Sequence, residues 1–447
     1  MADGESNGIP AKSDLVDGVA HEEPVVAADD GNPATARELA SRLHHLSLSA
    51  QTIHADDFLN SHQSVAPPMH VSTTFRYSRN PDELKRWVNI NPANPYDSHM
   101  YSRDTAPNSL RFEAVLTSIL NGPSLSYSSG LSAFHAMLVF LNPKRIAIGD
   151  GYHGCHGVIA LLSKLTGLTT VPLTADFEKE LKPGDVVHVE TPLNPTGEAR
   201  DLADFAERAR RAGCWLSVDA TFAPPPLMDP FALGADVVMH SGTKYFGGHS
   251  DMLAGVLAVH PKHEDWIDKL RTERLVLGSV MGNFEGWLGV RSLRTLEIRV
   301  RKQSRDAEEL VKWLASQTRE GGEIDDLVLQ VKHASLQRED LEQGWLRKQM
   351  PNGFGPVFAV YMRDEDDARR LPSKLDLFHH ATSLGGVESL VEWRAMTDAT
   401  VDKRLLRFSI GLEGFEDLRD DLVKGFEALR KEKKSKGTGS ANILGGV

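Results

Sequence analysis

Lys244 stands in the stretch HSGTKYFGGHSD, residues 240–251, immediately after the apolar run ADVVM. The ordinary place for a lysine is a solvated face, with its four-carbon stem lying along the surface. An amine set where a buried strand ends, among glycines and hydroxyls, can instead form a Schiff base once desolvation or a nearby cation lowers its pKa. Asp219 closes a second apolar run, CWLSVD. A carboxylate there is costly unless it meets a cation, and a protonated ring nitrogen would suit it. After the run LSYS, residues Ser128, Ser129, Gly130 and Leu131 open the helical stretch SAFHAMLVFL. A strand turning through glycine into a helix start presents free N–H groups to a phosphate, and Ser241 and Thr243 offer hydroxyls to the same group. An aldehyde trap, a partner for a pyridinium and an anion site are what pyridoxal 5′-phosphate requires.

The elements that must position these groups are legible as short β-rich runs between residues 124 and 260: LSYS, RIAIG, TTVPL, DVVHVE, CWLSVD, ADVVM and AGVLAV. Near-continuous apolar strands separated by helices predict an α/β fold, a mainly parallel seven-stranded sheet with helices on both faces. Ligands of such sheets bind beyond the carboxyl ends of the strands. That is where Ser129, Asp219 and Ser241 fall, together with Asn194, whose amide is fixed between prolines in TPLNPT and can donate to a ligand oxygen. Long helices are predicted over 262–318. The later runs LVLQVKHA, PVFAVYMR and LLRFSIGL, with helices in DEDDARRL and FEDLRDDLVKGFEALRKE, predict a smaller α+β C-terminal domain. Residues 66–118 are rich in Pro, Asn and Ser and end in a predicted helix, Ser109 to Leu120; a long irregular arm of this kind needs something to wrap around. The expected division is a disordered acidic tail over 1–50, the arm over 51–118, a cofactor-binding large domain over 119–310, the small domain over 311–432 and a flexible tail over 433–447.

The chain of 447 residues exceeds what one hydrophobic core supports, and its net charge of −12 argues against a nucleic-acid or anionic-membrane surface. A small-molecule substrate is the better expectation. Cys155 and Cys214 are the only cysteines and belong to no CxxC pair, so neither a disulfide framework nor a zinc site is expected. The N-terminus lacks the basic start and apolar core of a signal peptide, and no apolar run approaches the roughly 18 residues of a membrane span. The expectation is a cytoplasmic protein without metal.

With HSGTKYFGGHSD and VDATF in place, the chain from about residue 66 to 430 resembles the Cys/Met-metabolism, or trans-sulfuration, family of pyridoxal-phosphate enzymes. Its members include cystathionine γ-synthase, the cystathionine lyases, methionine γ-lyase and the O-acylhomoserine sulfhydrylases. The resemblance implies the aspartate-aminotransferase-like fold type I and a homotetramer, a dimer of dimers in which each site borrows residues from its neighbour. It implies that Lys244 is the Schiff-base lysine and general base, and that Asp219 faces the pyridine nitrogen. Ser129, Gly130, Leu131, Ser241 and Thr243 would hold the phosphate, with Thr221 also at the cofactor. Tyr152 in GDGYHG would stack on the ring and serve in catalysis, and Asn194 would sit beside its phenolic oxygen. Tyr101 and Arg103 in MYSRD would reach across the dimer to the neighbour's phosphate. Ser383 and Arg407 would hold the substrate α-carboxylate, an ion that an Arg fork suits, with Thr382 beside them. The implied reaction is elimination or replacement at Cβ or Cγ of cystathionine or an O-acylhomoserine, through an aldimine on Lys244.

Departures from the family pattern bear on the substrate. Ala220 follows the cofactor aspartate where the family usually has Asn, and Asp104-Thr105-Ala106-Pro107-Asn108 replaces its Gly-Asn-Pro-Thr. Trp393-Arg394-Ala395 stands for the usual His-Pro-Ala, and Thr382 precedes SLGG where γ-eliminating members often carry Glu. Among members, an O-acylhomoserine sulfhydrylase or a methionine γ-lyase-like enzyme stays open. Outside the family, Gly149 to Gly154 reads formally as GxGxxG with Asp176 beyond it, as an NAD-dependent dehydrogenase would have. That reading leaves Lys244, Asp219 and Arg407 unexplained, and a catalytically silent scaffold leaves the same residues without a purpose.

Overall fold

The computed structural model describes residues 45–60, 64–86, 89, 99–174 and 176–441, with side chains described as far as Ser435. Its larger sheet contains β1 (Ser124–Tyr127), β2 (Arg145–Ile148), β3 (Thr169–Pro172), β4 (Val186–Glu190), β5 (Trp215–Asp219), β6 (Val237–Ser241) and β7 (Gly255–Val259). All seven fall on the β-rich runs of the sequence. Their order is β1-β7-β6-β5-β4-β2-β3. β7 is antiparallel to both neighbours, and the pairs from β6 through β5, β4 and β2 to β3 are parallel. The carboxyl ends of β4, β5 and β6 therefore lie along one edge.

Strand side chains alternate between faces, and both faces here are buried. Val238, Val256 and Ala258 enter one apolar cluster with Leu216 and Val218. Their sequence neighbours Val237, Met239, Leu257 and Val259 enter another, with Phe134 and Ile159 from the helices Gly130–Leu141 and His153–Thr166. Each fully buried Val or Leu is worth about 1.5–3 kcal/mol of transfer free energy. This two-sided burial is why the strands read as continuous apolar runs rather than as an alternation.

The smaller sheet has the order β10-β11-β12-β9-β8, from β8 (Val328–Lys332), β9 (Val357–Met362), β10 (His379–His380), β11 (Leu390–Trp393) and β12 (Leu405–Ser409). It packs with the helices Leu296–Gln317 and Phe415–Ala441 around Phe358, Phe408, Leu418 and Phe426. That last helix runs past the expected tail boundary at 433, and a helix over Leu48–His54 starts inside the expected N-terminal tail. Residues 1–44 and 442–447, the rest of those tails, lie outside the described residues. The helix expected from Ser109 spans Pro107–Ile119, with Pro107 in the first turn, where its missing N–H costs nothing. The arm before it lies on two helices: Asn108 Nδ2 donates to the Pro68 carbonyl at 2.8 Å, and Trp287 Nε1 to the Pro67 carbonyl at 2.9 Å. Both cysteines are buried and unbridged. Among the described residues, no helix is long and apolar enough to cross a membrane.

Candidate active site

A cavity of about 350 Å³ opens between the carboxyl edge of the larger sheet and the loop preceding β11. Lys244, Asp219, Thr221, Ser241 and Thr243 line it from β5, β6 and the turns that follow them. Ser129, Gly130 and Leu131 enter from the start of the helix after β1, and Tyr152 and Asn194 from the turns after β2 and β4. Thr382, Ser383 and Arg407 close it from the smaller sheet. Every residue that the sequence placed at the cofactor or substrate thus meets in one place, save Tyr101 and Arg103.

Lys244 Nζ donates to Ser383 Oγ at 2.7 Å. Burial, and after it the positive charge of Arg407, pulls the ammonium down to about 8 against the opposing pull of Glu392. The result is a lysine that is substantially neutral just above physiological pH, as a nucleophile and proton carrier must be. Ser383 holds φ of +82°, a left-handed conformation that a residue with a Cβ adopts only under constraint. Nearby, Gly385 at φ of +81° lies so close to Lys244 that an added Cβ would sit 3.0 Å from the lysine's carbonyl carbon.

Asp219 is the last residue of β5 and is almost fully buried. Its Oδ1 accepts the Thr221 N–H at 2.9 Å and the Thr221 hydroxyl at 2.5 Å. None of the described residues donates to Oδ2. Burial raises its pKa, opposed by the two Thr221 bonds. Glu190, its register partner at the end of β4, is equally buried and is also held above the carboxylate range, by burial and then by the charge of Asp219. Glu190 accepts the backbone N–H groups of Tyr152 and Asn194, each at 2.7 Å. Arg200 and Arg407 act on Glu190 electrostatically, but among the described residues Asp219 has no ion-pair partner, so its buried carboxylate is placed for a positive group. A protonated ring nitrogen fits Asp219. The same geometry opposes the dinucleotide reading, because the Glu190 carboxylate crowds Gly151 and takes the Tyr152 N–H that a pyrophosphate on this turn would need.

Opposite, Ser129 caps the helix, its hydroxyl accepting the Ser132 N–H at 3.1 Å. The space at Gly130 is set by Ser241, whose Cβ would lie 3.2 Å from an added methyl. The Ser241 hydroxyl has no partner among the described residues, so helix N–H groups and a free hydroxyl face the same corner, as a phosphate requires. Thr243 differs from expectation: its hydroxyl bridges the carbonyl and N–H of Ala254, at 3.3 and 3.1 Å. Thr221 likewise serves Asp219 and accepts the Ser241 N–H at 2.9 Å.

Arg407, 4% exposed, gives Nη1 to Asn194 Oδ1 at 3.1 Å and Nη2 to the Ser383 carbonyl and Glu392 Oε2 at 2.8 and 2.6 Å. Tyr152 stands exposed at the cavity wall, its phenol raised by partial desolvation and next by Cys155. Tyr101 and Arg103 lie outside this cavity. Arg103 sits 5.6 Å from the exposed Tyr101 ring and donates to the Leu275 carbonyl at 3.1 Å.

Sequence reasoning missed Glu190, Glu392 and Arg394. Glu190 closes an apolar strand just as Asp219 does, which was the available signal. Arg394 was visible only as an arginine in place of a proline, and Glu392 carried no signal outside its contacts.

Comparison with known proteins agrees with this chemistry. Residues 49–427 match the family described as Cys/Met metabolism PLP-dependent enzyme. The chain is similar to cystathionine gamma-synthase of Escherichia coli, 34% identical over 388 residues, 82% of this chain and 94% of the relative. It is also similar to cystathionine gamma-lyase of Saccharomyces cerevisiae, 30% identical over 402 residues, 85% of this chain and 97% of the relative. Among solved structures, that of cystathionine gamma-lyase from yeast superposes with a TM-score of 0.74 at 28% identity, covering 86% of this chain and 98% of that one. A methionine gamma lyase from Micromonospora echinospora superposes with a TM-score of 0.74 at 29% identity, covering 85% and 99%.

Proposed function

The chain belongs to the Cys/Met-metabolism family of pyridoxal-phosphate-dependent enzymes, and from that premise we propose that it breaks or exchanges the bond at Cβ or Cγ of a sulfur amino acid or an O-acylhomoserine. The reading is carried by one observation: the desolvated amine of Lys244 shares a cavity with the buried Asp219 carboxylate and the Arg407 fork. Bound pyridoxal phosphate supplies the electron sink for a carbanion at the substrate Cα. In this reading Asp219 holds the ring nitrogen, and the helix start at Ser129 to Leu131, with Ser241, holds the phosphate. Lys244 Nζ takes the proton from Cα and returns it to a later carbon. Arg407 orients the α-carboxylate, while Ser383 positions the lysine through its hydroxyl and the arginine through its carbonyl.

We place Tyr101 and Arg103 at a neighbouring subunit's phosphate, in a dimer of dimers, because both are exposed on the arm and lie outside the cavity that Lys244 lines. Departure of a β- or γ-group and its replacement by water or a thiol use the same residues, so the product decides the direction. The reaction in this reading is exchange of sulfur between cysteine and homocysteine. The purified protein is incubated with pyridoxal phosphate and L-cystathionine, and the keto acid is identified by mass spectrometry. Pyruvate identifies β-elimination and 2-oxobutyrate γ-chemistry; neither acid refutes the lyase assignments and turns the test to γ-replacement on an acylhomoserine.

A further inference from the structure

The cavity wall carries a second arginine that the proposed chemistry does not use. Arg394, one residue beyond β11, is 4% exposed and lines the cavity beside Tyr152 and Thr397. Its Nη1 donates to Glu392 Oε2 at 3.1 Å and to the Thr397 hydroxyl at 3.0 Å. The same Glu392 oxygen takes Arg407 Nη2, and its Oε1 takes the Thr397 hydroxyl at 2.7 Å. One carboxylate therefore serves two buried guanidiniums. The other edge of Arg394 is unspent. Among the described residues its Nε is buried with no hydrogen-bond partner, and its Nη2 makes one long ion pair, to Asp398 Oδ2 at 3.8 Å, with no hydrogen bond. The Nε and Nη2 edge is the face that a guanidinium offers side-on to a carboxylate. Leaving it empty in a buried site is unfavourable.

We propose that Arg394 binds an anionic group on the substrate's side chain, so that the enzyme selects amino acids with two carboxylates over those with a neutral side arm. Arg407 takes the α-carboxylate and Arg394 the distal one, the two forks held at a fixed spacing by their shared Glu392. The inference rests on the functional reading above, in which Arg407 holds the α-carboxylate. It narrows the substrate to a dicarboxylic thioether or a dicarboxylic acyl ester, and ranks methionine and neutral esters below them.

The test uses holoenzyme and two ligands of equal length, L-2-aminoadipate and L-norleucine, neither with a leaving group at Cβ or Cγ. Dissociation constants come from titration calorimetry. The wild type is expected to bind 2-aminoadipate at least about tenfold more tightly, Arg394→Gln to erase that preference by weakening 2-aminoadipate alone, and Arg394→Lys to keep part of it. Equal affinities in the wild type, or binding of neither ligand, would overturn the proposal. So would a preference that survives Arg394→Gln, or an equal loss for both ligands, which would make Arg394 merely a support for Glu392. Because unreactive ligands are read apart from turnover, a missing keto acid from L-cystathionine refutes the reaction, whereas a missing preference refutes the role of Arg394.

Discussion

The amine of Lys244 and the hydroxyl of Ser383 meet at 2.7 Å, joining the turn after β6 of the larger sheet to a left-handed residue in the loop before β11 of the smaller one. The contact orients the amine of Lys244 within the cavity. It also places the lysine beside Arg407, which the Ser383 carbonyl holds from its other side.

Because burial and Arg407 lower the Lys244 pKa to about 8, the neutral amine that attacks an aldehyde accumulates as pH rises through that value. Capture of pyridoxal phosphate by the apoprotein should therefore accelerate about fivefold between pH 7 and 8 and level off above pH 9. Stopped-flow absorbance on the apoprotein measures this. Arg407→Met removes a cation that disfavours the ammonium, so its midpoint should move upward, and Lys244→Ala should show no lysine-bound chromophore and no turnover.

Asp219→Asn keeps the volume and removes the charge. Pyridoxal phosphate should bind at least about tenfold more weakly. The apoprotein should melt no earlier than the wild type, since the buried carboxylate it loses has no cation. Equilibrium dialysis with and without the cofactor, beside thermal melts, separates the two effects, and an unchanged affinity would remove Asp219 from the ring nitrogen.

Truncating Arg407 to Ala deletes one partner of a buried charge pair, a loss of about 2–5 kcal/mol when the pair binds a ligand. Because the α-carboxylate does not react, the loss should appear chiefly as a KM raised roughly a hundredfold, with kcat altered less. Steady-state kinetics on L-cystathionine decide it. A fall in kcat at constant KM would mean that Arg407 acts through Ser383 and Lys244 instead.

The placement of Arg103 at a neighbour's phosphate predicts complementation. Lys244→Ala and Arg103→Ala should each be inactive, yet unfolding and refolding the two together should restore about one quarter of wild-type activity. Only the hybrid dimer then contains an intact site, and it contains one. Mixtures that stay inactive would return both arm residues to their own subunit.

Much of this arrangement was legible because the larger sheet is buried on both faces, which writes its strands as unbroken apolar runs with chemistry at their ends. Asp219 and Lys244 stood out against that background. Glu190 ended its run in the same way but makes its bonds to backbone N–H groups, which leave no trace in residue types. β10 is two exposed histidines, and β11 hides inside a polar stretch with Glu392 at its centre, so neither gave a period to read. Tyr101 and Arg103 were legible only through resemblance.

The cavity is closed by residues far apart along the chain, Asn194 with Arg407 across 213 positions and Lys244 with Ser383 across 139. During synthesis all seven strands of the larger sheet leave the ribosome while Ser383 and Arg407 have yet to be translated. The segment that packs on Lys244 and carries the charge that helps lower its proton affinity is therefore the last part of the site to be translated. A transcript cut short before codon 383 would yield a product that keeps the nucleophile but cannot tune it.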